Sequence, residues 1–361
     1  MSSFVQWLSQ GVLPREEVGG KMAALSELVN LGIQVPRGFA ISARAFLEFC
    51  SYYGLDRWIA AFGGQLRALP KGTSLLHQDS PALAQQARQI RAEFRKRELL
   101  PKLASELIEA FHELCTDAHG NAVSVAVRSS AILEDRCERS SAGMYDTFLM
   151  INDEQVLCEM VKLCWGSLFS ERSISYQRNQ WLGSEDGTAW HMAVGVQQMV
   201  NARTAGVAMT VSPTTGDPSK ICVEATWGLG EALVQGQVVP DSFTLDKVTL
   251  EWLTHRVGSK KEQLVCNLDG NTVERQTVAA SEQARLCLSE HELIQIGTVA
   301  KRIEKHYQHP QDLEWAVSGE GKTSVLHVLQ ARPQTALPLP KEPPLQARKD
   351  LAIDYVMDMF K

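Results

Sequence analysis

Gln311-Asp312-Leu313-Glu314-Trp315 and, past a turn, Leu329-Gln330-Ala331-Arg332-Pro333 are the two runs that decide how this chain reads. Strand side chains alternate between faces, so Asp312 and Glu314 project from one face, two residues apart. Ser324 to Arg332 is rich in Val and Leu and follows a glycine-containing turn from Gly319 to Lys322, which predicts an antiparallel hairpin. The hairpin brings the Gln330 amide and the Arg332 guanidinium beside the carboxylates. Such a group suits a polyphosphate held through Mg²⁺, which takes one or two carboxylates plus phosphate oxygens while an arginine forks onto phosphate. A surface hairpin with a salt bridge has the same spacing, and spacing alone does not choose between the two.

The rest of the composition narrows the field. At 361 residues and 44% hydrophobic, the chain has enough apolar material for two or three packed lobes. A formal net charge of −6 argues against a general nucleic-acid binder, which would carry a basic face, so any phosphate site is local. Eight cysteines are scattered without a CxxC or Cys/His pairing, the pattern of reduced thiols in a cytoplasmic protein. Met1 to Gly11 has no basic region of the secretory kind, and no run approaches the ~20 apolar residues of a membrane span.

Working back from the hairpin, Val194–Val200, Ala205–Val211, Ile221–Ala225 and Ser242–Asp246 read as short strands between tight turns. The first half is mixed. A Gly19-Gly20-Lys21 turn opens a helix with Leu25, Leu28 and Val29 on one side, ending at Gly32, and Ile33 to Ile41 reads as a strand. Ser80-Pro81 and Pro101 start helices, and Ala122 to Arg128 is a β-branched strand ending in Arg128-Ser129-Ser130. The expected division is an N-terminal lobe over 1–186, a strand-rich lobe over 187–334, and a proline-rich tether with a short amphipathic helix over 335–361. In that helix Asp350, Asp354 and Asp358 recur every four residues opposite an apolar side, which fits packing on its own domain or docking on a partner.

Several of these segments can carry chemistry, each with a plainer alternative. Lys21, after two glycines and before a helix, can hold phosphate or mark only a turn. Arg128 can bind phosphate or pair with Glu134 or Asp135. The small residues from Ser140 to Thr147, including Ser141 and Gly143, can fold over phosphates or form a surface loop. Gln197-Gln198-Met199-Val200 ends an apolar strand whose edge suits adenine. Thr226 to Glu231 is a glycine-punctuated turn that ends in a carboxylate and lacks the spacing of a dinucleotide fingerprint; its Trp227 either lines the cleft or belongs to the core.

In order along the chain, Gly19-Gly20-Lys21, Val35-Pro36-Arg37-Gly38-Phe39, Val127-Arg128-Ser129-Ser130-Ala131 with Ser141-Ala142-Gly143, and Val196-Gln197-Gln198-Met199-Val200 are followed by Gly206-Val207-Ala208, Ser212-Pro213-Thr214-Thr215-Gly216 and Gly228-Leu229-Gly230-Glu231. Together with the two hairpin runs, this series resembles the nucleotide-binding part of the phosphoenolpyruvate synthase and pyruvate phosphate dikinase family, from about residue 18 to residue 334. Met22 and Ser212 depart from its pattern.

The resemblance implies an α+β chain of the ATP-grasp fold, with ATP between two lobes and Mg²⁺ on its phosphates. It implies Lys21, Arg128 and Arg332 as catalytic phosphate ligands, Asp312, Glu314 and Gln330 at the metal, and Gln197 and Met199 at adenine. Ser141, Gly143, Thr147, Glu231 and Gln330 complete the expected nucleotide contacts. In this family the acceptor is a histidine on a swivelling domain, and no histidine here has that setting. The expectation is therefore one subunit of a split enzyme, like the ATP-binding part of the phenylphosphate synthases, with the phosphohistidine domain on a partner subunit and the small-molecule acceptor bound elsewhere. Phosphoryl transfer needs alignment and charge stabilisation more than a protein nucleophile, which fits the cationic set.

Overall fold

The computed structural model describes residues 3–69, 81–116, 122–132, 146–175, 190–267 and 269–335. Ser80, Glu134, Asp135, Ser141, Gly143, the expected lobe boundary and the helix over 350–361 lie outside the described residues.

Two antiparallel sheets dominate. The first runs in the order β1 (Val5–Trp7), β2 (Gly38–Ile41), β5 (Met192–Gln198), β3 (Val125–Ala131), β4 (Thr147–Ile151). The second runs β13 (Val325–Pro333), β12 (Gln311–Ser318), β6 (Thr204–Met209), β7 (Lys220–Trp227), β8 (Asp241–Asp246), β9 (Trp252–Arg256). A separate pair, β10 (Glu262–Asn267) and β11 (Thr272–Thr277), forms a small third sheet.

The helices of the first half are α1 (Arg15–Asn30), α2 (Ala43–Tyr52), α3 (Leu55–Ala68), α4 (Pro81–Lys96), α5 (Pro101–Leu114) and α6 (Glu154–Ser167). Those of the second are α7 (Glu231–Val234), α8 (Ala280–Gln283) and α9 (Glu290–Tyr307). Their starts follow local chemistry: Pro101 sits in the first turn of α5, the Asp153 carboxylate accepts from the amides of Gln155 and Val156 at 2.9 Å, and Ser289 and Glu292 form a reciprocal capping box on α9. Among the described residues no helix is long and apolar enough to cross a membrane.

Two cores follow. An aromatic group containing Phe46, Phe49, Phe94 and Trp165 lies under the first sheet, with Phe49 and Trp165 rings 5.2 Å apart. The second core joins the second sheet to α9 and to the inner side of α1, where Leu25 and Leu28 are fully buried. At about 1.5–3 kcal/mol for each such side chain, this face fixes α1 against both sheets.

Four expectations need correction. The strand read over Ile33 to Ile41 shrinks to β2. The amides of Gly32 and Ile33 close α1 onto Val29 and Leu28, and Pro36 has no N–H to give a ladder. Arg128 lies inside β3 and not at its end, because the strand continues to Ala131. β5, assigned by sequence to the second lobe, is hydrogen-bonded between β2 and β3 of the first sheet. Its apolar run marks a central strand without marking which sheet owns it. The α1 helix, assigned to the first lobe, contributes its buried face to the second core.

Candidate functional site

A cleft of about 750 Å³ opens between the two sheets. One wall begins at the break in α1, where Gly19 holds φ 75°, and an added Cβ there would stand 1.9 Å from the Ser130 carbonyl oxygen. Only glycine fits that approach. The seam is stitched by Ser130, whose hydroxyl donates to the Val18 carbonyl at 2.7 Å and accepts from the Met22 amide at 3.2 Å. Met22 is buried with its sulfur over Gly195 of β5, so this departure from the family pattern is absorbed by packing. Lys21, just past the break, lines the cleft and donates to the Ser129 carbonyl at 3.3 Å.

Arg128 reaches from the first sheet to the hairpin of the second. Its Nη1 donates to the Leu329 carbonyl at 2.9 Å, and its Nη2 donates to Gln330 Oε1 at 2.9 Å and to Glu314 Oε2 at 3.3 Å. The hairpin itself is as read: β12 and β13 pair antiparallel, with Asp312 opposite Arg332 and Glu314 opposite Gln330. Glu314, Gln330 and Arg332 line the cleft. Asp312 does not; both Nε and Nη2 of Arg332 donate to its Oδ2, at 2.9 and 2.6 Å. The alternative of a salt-bridged hairpin is thus also present, as Asp312–Arg332, within the same constellation.

Another part of the cleft lining is apolar. Leu149 on β4, Met199 and Leu229 line it, and the cluster they belong to is completed by Leu264 on the small sheet. The Met199 amide donates to the Ser124 carbonyl at 2.9 Å, so that amide is already committed to the backbone. Gln197 is 4% exposed and lines the cleft, and its Nε2 has no acceptor among the described residues. A buried donor left without a partner is costly, and a ligand base or phosphate oxygen would satisfy it. Thr147 and Glu231 also line the cleft, and burial raises the Glu231 carboxyl above its ordinary range. Trp227 is core instead, its indole donating to the Glu282 carbonyl at 3.2 Å.

Asp146, from the stretch Ser140 to Thr147, also lines the cleft, and sequence reading missed Leu149, Arg172, Gln235 and Gln237. Only Leu149 carried a signal, as part of the continuous apolar run Phe148 to Ile151; the others stand in segments without periodicity. Among the described residues no cluster of three or more His, Cys, Asp or Glu could hold a metal alone. The carboxylates and amide of the hairpin are hard oxygen donors of the kind that share Mg²⁺ with phosphate.

The family model described as the pyruvate phosphate dikinase AMP/ATP-binding domain matches residues 15–351. A probable phosphoenolpyruvate synthase of Archaeoglobus fulgidus is 38% identical over 320 residues, covering 89% of this chain and 40% of that protein. The phosphoenolpyruvate synthase of Pseudomonas aeruginosa is 37% identical over 341 residues, covering 90% of this chain and 41% of that one. The chain therefore spans about two fifths of the length of these relatives. D-alanyl-alanine synthetase A of Vibrio cholerae aligns at a TM-score of 0.26 and 12% identity, over 72% of this chain and 55% of that one, a likeness too slight to carry argument. With the family model matched over residues 15–351, the chain belongs to the pyruvate phosphate dikinase AMP/ATP-binding domain family.

Proposed function

We propose that this chain binds ATP with Mg²⁺ in the cleft and transfers the β-phosphoryl group to a histidine on a partner subunit. The observation that carries the reading is one cleft lined by two chemically distinct groups of residues. Lys21, Arg128, Arg332, Glu314 and Gln330 form one part of its lining, and the apolar cluster of Leu149, Met199 and Leu229 forms another. A nucleoside triphosphate has the same division, a flat apolar base and a polyanion.

In this reading Lys21, Arg128 and Arg332 neutralise charge on the phosphates, and Gln197 supplies a donor to the nucleotide. Mg²⁺ bound by Asp312, Glu314 and Gln330 would supply further charge neutralisation of the phosphates. The carboxylates now held by Arg128 and Arg332 are the ones that would hold the metal, which would leave both guanidinium groups available to phosphate. The histidine nitrogen takes the β-phosphoryl, AMP departs with the oxygen that bridged the α- and β-phosphorus atoms, and water takes the γ-phosphoryl as free phosphate. Alignment and charge supply the rate.

The partner-subunit role and phenol as the final acceptor rest on the sequence resemblance to the phenylphosphate synthases. Pyruvate is the competing acceptor, favoured by the phosphoenolpyruvate synthases among the relatives. The test mixes this protein, a candidate histidine subunit and ATP labelled separately at the β and γ positions, then offers phenol or pyruvate. Label from the β position on histidine, with AMP formed, supports the reading; ADP without β transfer overturns it.

A further inference from the structure

Glu231, at the start of α7, is joined to the small third sheet by an unbroken line of side-chain hydrogen bonds. Its Oε1 accepts from Gln235 Nε2 at 2.9 Å, Gln235 Oε1 accepts from Gln237 Nε2 at 2.5 Å, and Gln237 Oε1 accepts from Arg275 Nη2 at 2.6 Å. Arg275, on β11, is itself held by Glu262 of β10, with Nη1 donating to Oε2 at 2.6 Å. The direction of every link follows from its end. A guanidinium can only donate, so it claims the oxygen of Gln237, whose NH₂ must then face Gln235, whose NH₂ in turn faces Glu231. Such a line requires an acceptor at its far end, and an ionised carboxylate is one.

The sheet that carries Arg275 is anchored beside the cleft. Gly228 bridges to Leu264 of β10, the Leu229 amide donates to the Leu264 carbonyl at 2.8 Å, and β11 touches β4 of the first sheet. Glu231 lines the cleft next to Leu229, while its Oε2 makes no hydrogen bond among the described residues. Of the groups ATP presents, only the adenine amine and the ribose hydroxyls donate hydrogen bonds, and a carboxylate would repel the phosphates. An acid two residues from Leu229 of the apolar cluster suits the ribose hydroxyls.

From this we infer that Arg275 is a positioning residue for nucleotide binding: acting through Gln237 and Gln235, it fixes the Glu231 carboxylate with one oxygen turned to the ribose hydroxyls. The inference rests on the ATP reading above. An Arg275–Glu262 pair that served only as a surface ion pair, with both side chains about half exposed, would contribute almost nothing measurable.

The experiment compares ATP with 2′,3′-dideoxy-ATP by calorimetric titration of the full chain and of Arg275→Ala, Gln237→Met, Glu231→Ala and the Arg275→Ala/Glu231→Ala double variant. The unaltered protein is expected to prefer ATP by roughly tenfold, the scale of a hydrogen bond to a charged group. Arg275→Ala and Gln237→Met should each bring that preference to within about threefold of unity by weakening ATP alone, and Arg275→Ala should add nothing once Glu231 is gone. An undiminished preference in Arg275→Ala, or equal weakening of both nucleotides, overturns the positioning role while leaving the ATP reading intact. Failure of the unaltered protein to bind either nucleotide overturns that reading, and this one with it.

Discussion

Leu329 is the residue left over where the ladder between β12 and β13 shifts register, and its carbonyl oxygen accepts from Nη1 of Arg128 at 2.9 Å. Glu314 pairs with Gln330 and Trp315 with Val328, so the bulge turns one backbone acceptor toward the other sheet. The planar guanidinium spans Leu329, Gln330 and Glu314 at once, which a lysine ammonium on a flexible stem cannot reproduce. Arg128→Lys should therefore fold with a melting temperature lowered by only a few degrees, yet lose β-phosphoryl transfer by at least about a hundredfold. Parallel thermal melts and single-turnover assays check the split, and retained transfer would remove Arg128 from the phosphate site.

Arg332 gives two hydrogen bonds to one oxygen of Asp312, and both side chains are about 15% exposed. Truncating Arg332 withdraws both donors from a mostly buried carboxylate, at a cost of about 1–3 kcal/mol. Removing Asp312 as well takes away the charge that was left behind. Arg332→Ala should thus be less stable than Arg332→Ala/Asp312→Ala in urea unfolding, while both fail to transfer phosphoryl. A double variant no more stable than the single one would show that the pair is not coupled.

Gly19 offers a sharper structural test. Alanine there meets the Ser130 carbonyl at 1.9 Å and must also hold a positive φ, so Gly19→Ala should cost on the order of 3 kcal/mol and weaken nucleotide binding through the displaced Lys21. Gly64, inside α3 with open space at its Cβ position, is the control: Gly64→Ala should be neutral or stabilise by about 0.5–1 kcal/mol. Equal melting temperatures for the two variants would contradict the close approach.

The hairpin was legible because strand alternation fixes the face of Asp312 and Glu314, and the turn fixes the pairing. The helix after Gly19-Gly20-Lys21 was legible from its apolar spacing and its glycine stop. What local pattern could not supply was ownership across the chain. Nothing in Met192–Gln198 says that it inserts between β2 and β3, since a strand buried on both faces has the same apolar run in either sheet. The Leu329 bulge and the line from Glu231 to Arg275 were equally hidden, because each depends on partners brought together from distant or irregular segments.

Gln197 combines burial with an unpartnered Nε2, so its replacement should move stability and binding in opposite directions. Gln197→Met keeps the length and removes the orphaned donor, which should leave thermal stability unchanged or raise it slightly. The same change deletes a donor to ATP and should weaken affinity by roughly tenfold. Thermal melts with and without ATP separate the two effects. A loss of stability in the free protein would mean that this amide is satisfied without nucleotide.

Glu231 gives the binding its pH dependence. Burial raises its carboxyl pKa while the Gln235 amide lowers it, and burial is the larger effect. The folded protein therefore holds this proton more tightly than the unfolded chain does. Its contribution to stability is full below the unfolded pKa and is lost as pH rises through the raised folded value. Ribose binding has the opposite sign, because only the ionised carboxylate accepts from both Gln235 and a hydroxyl. ATP affinity should rise with pH through that raised value, in a window above the ordinary glutamate range. In Glu231→Gln that limb should vanish, leaving weaker binding with a flat profile over the same window. Calorimetric titrations across the window would decide it, and a wild-type profile identical in shape to that of Glu231→Gln would exclude Glu231 as the titrating group.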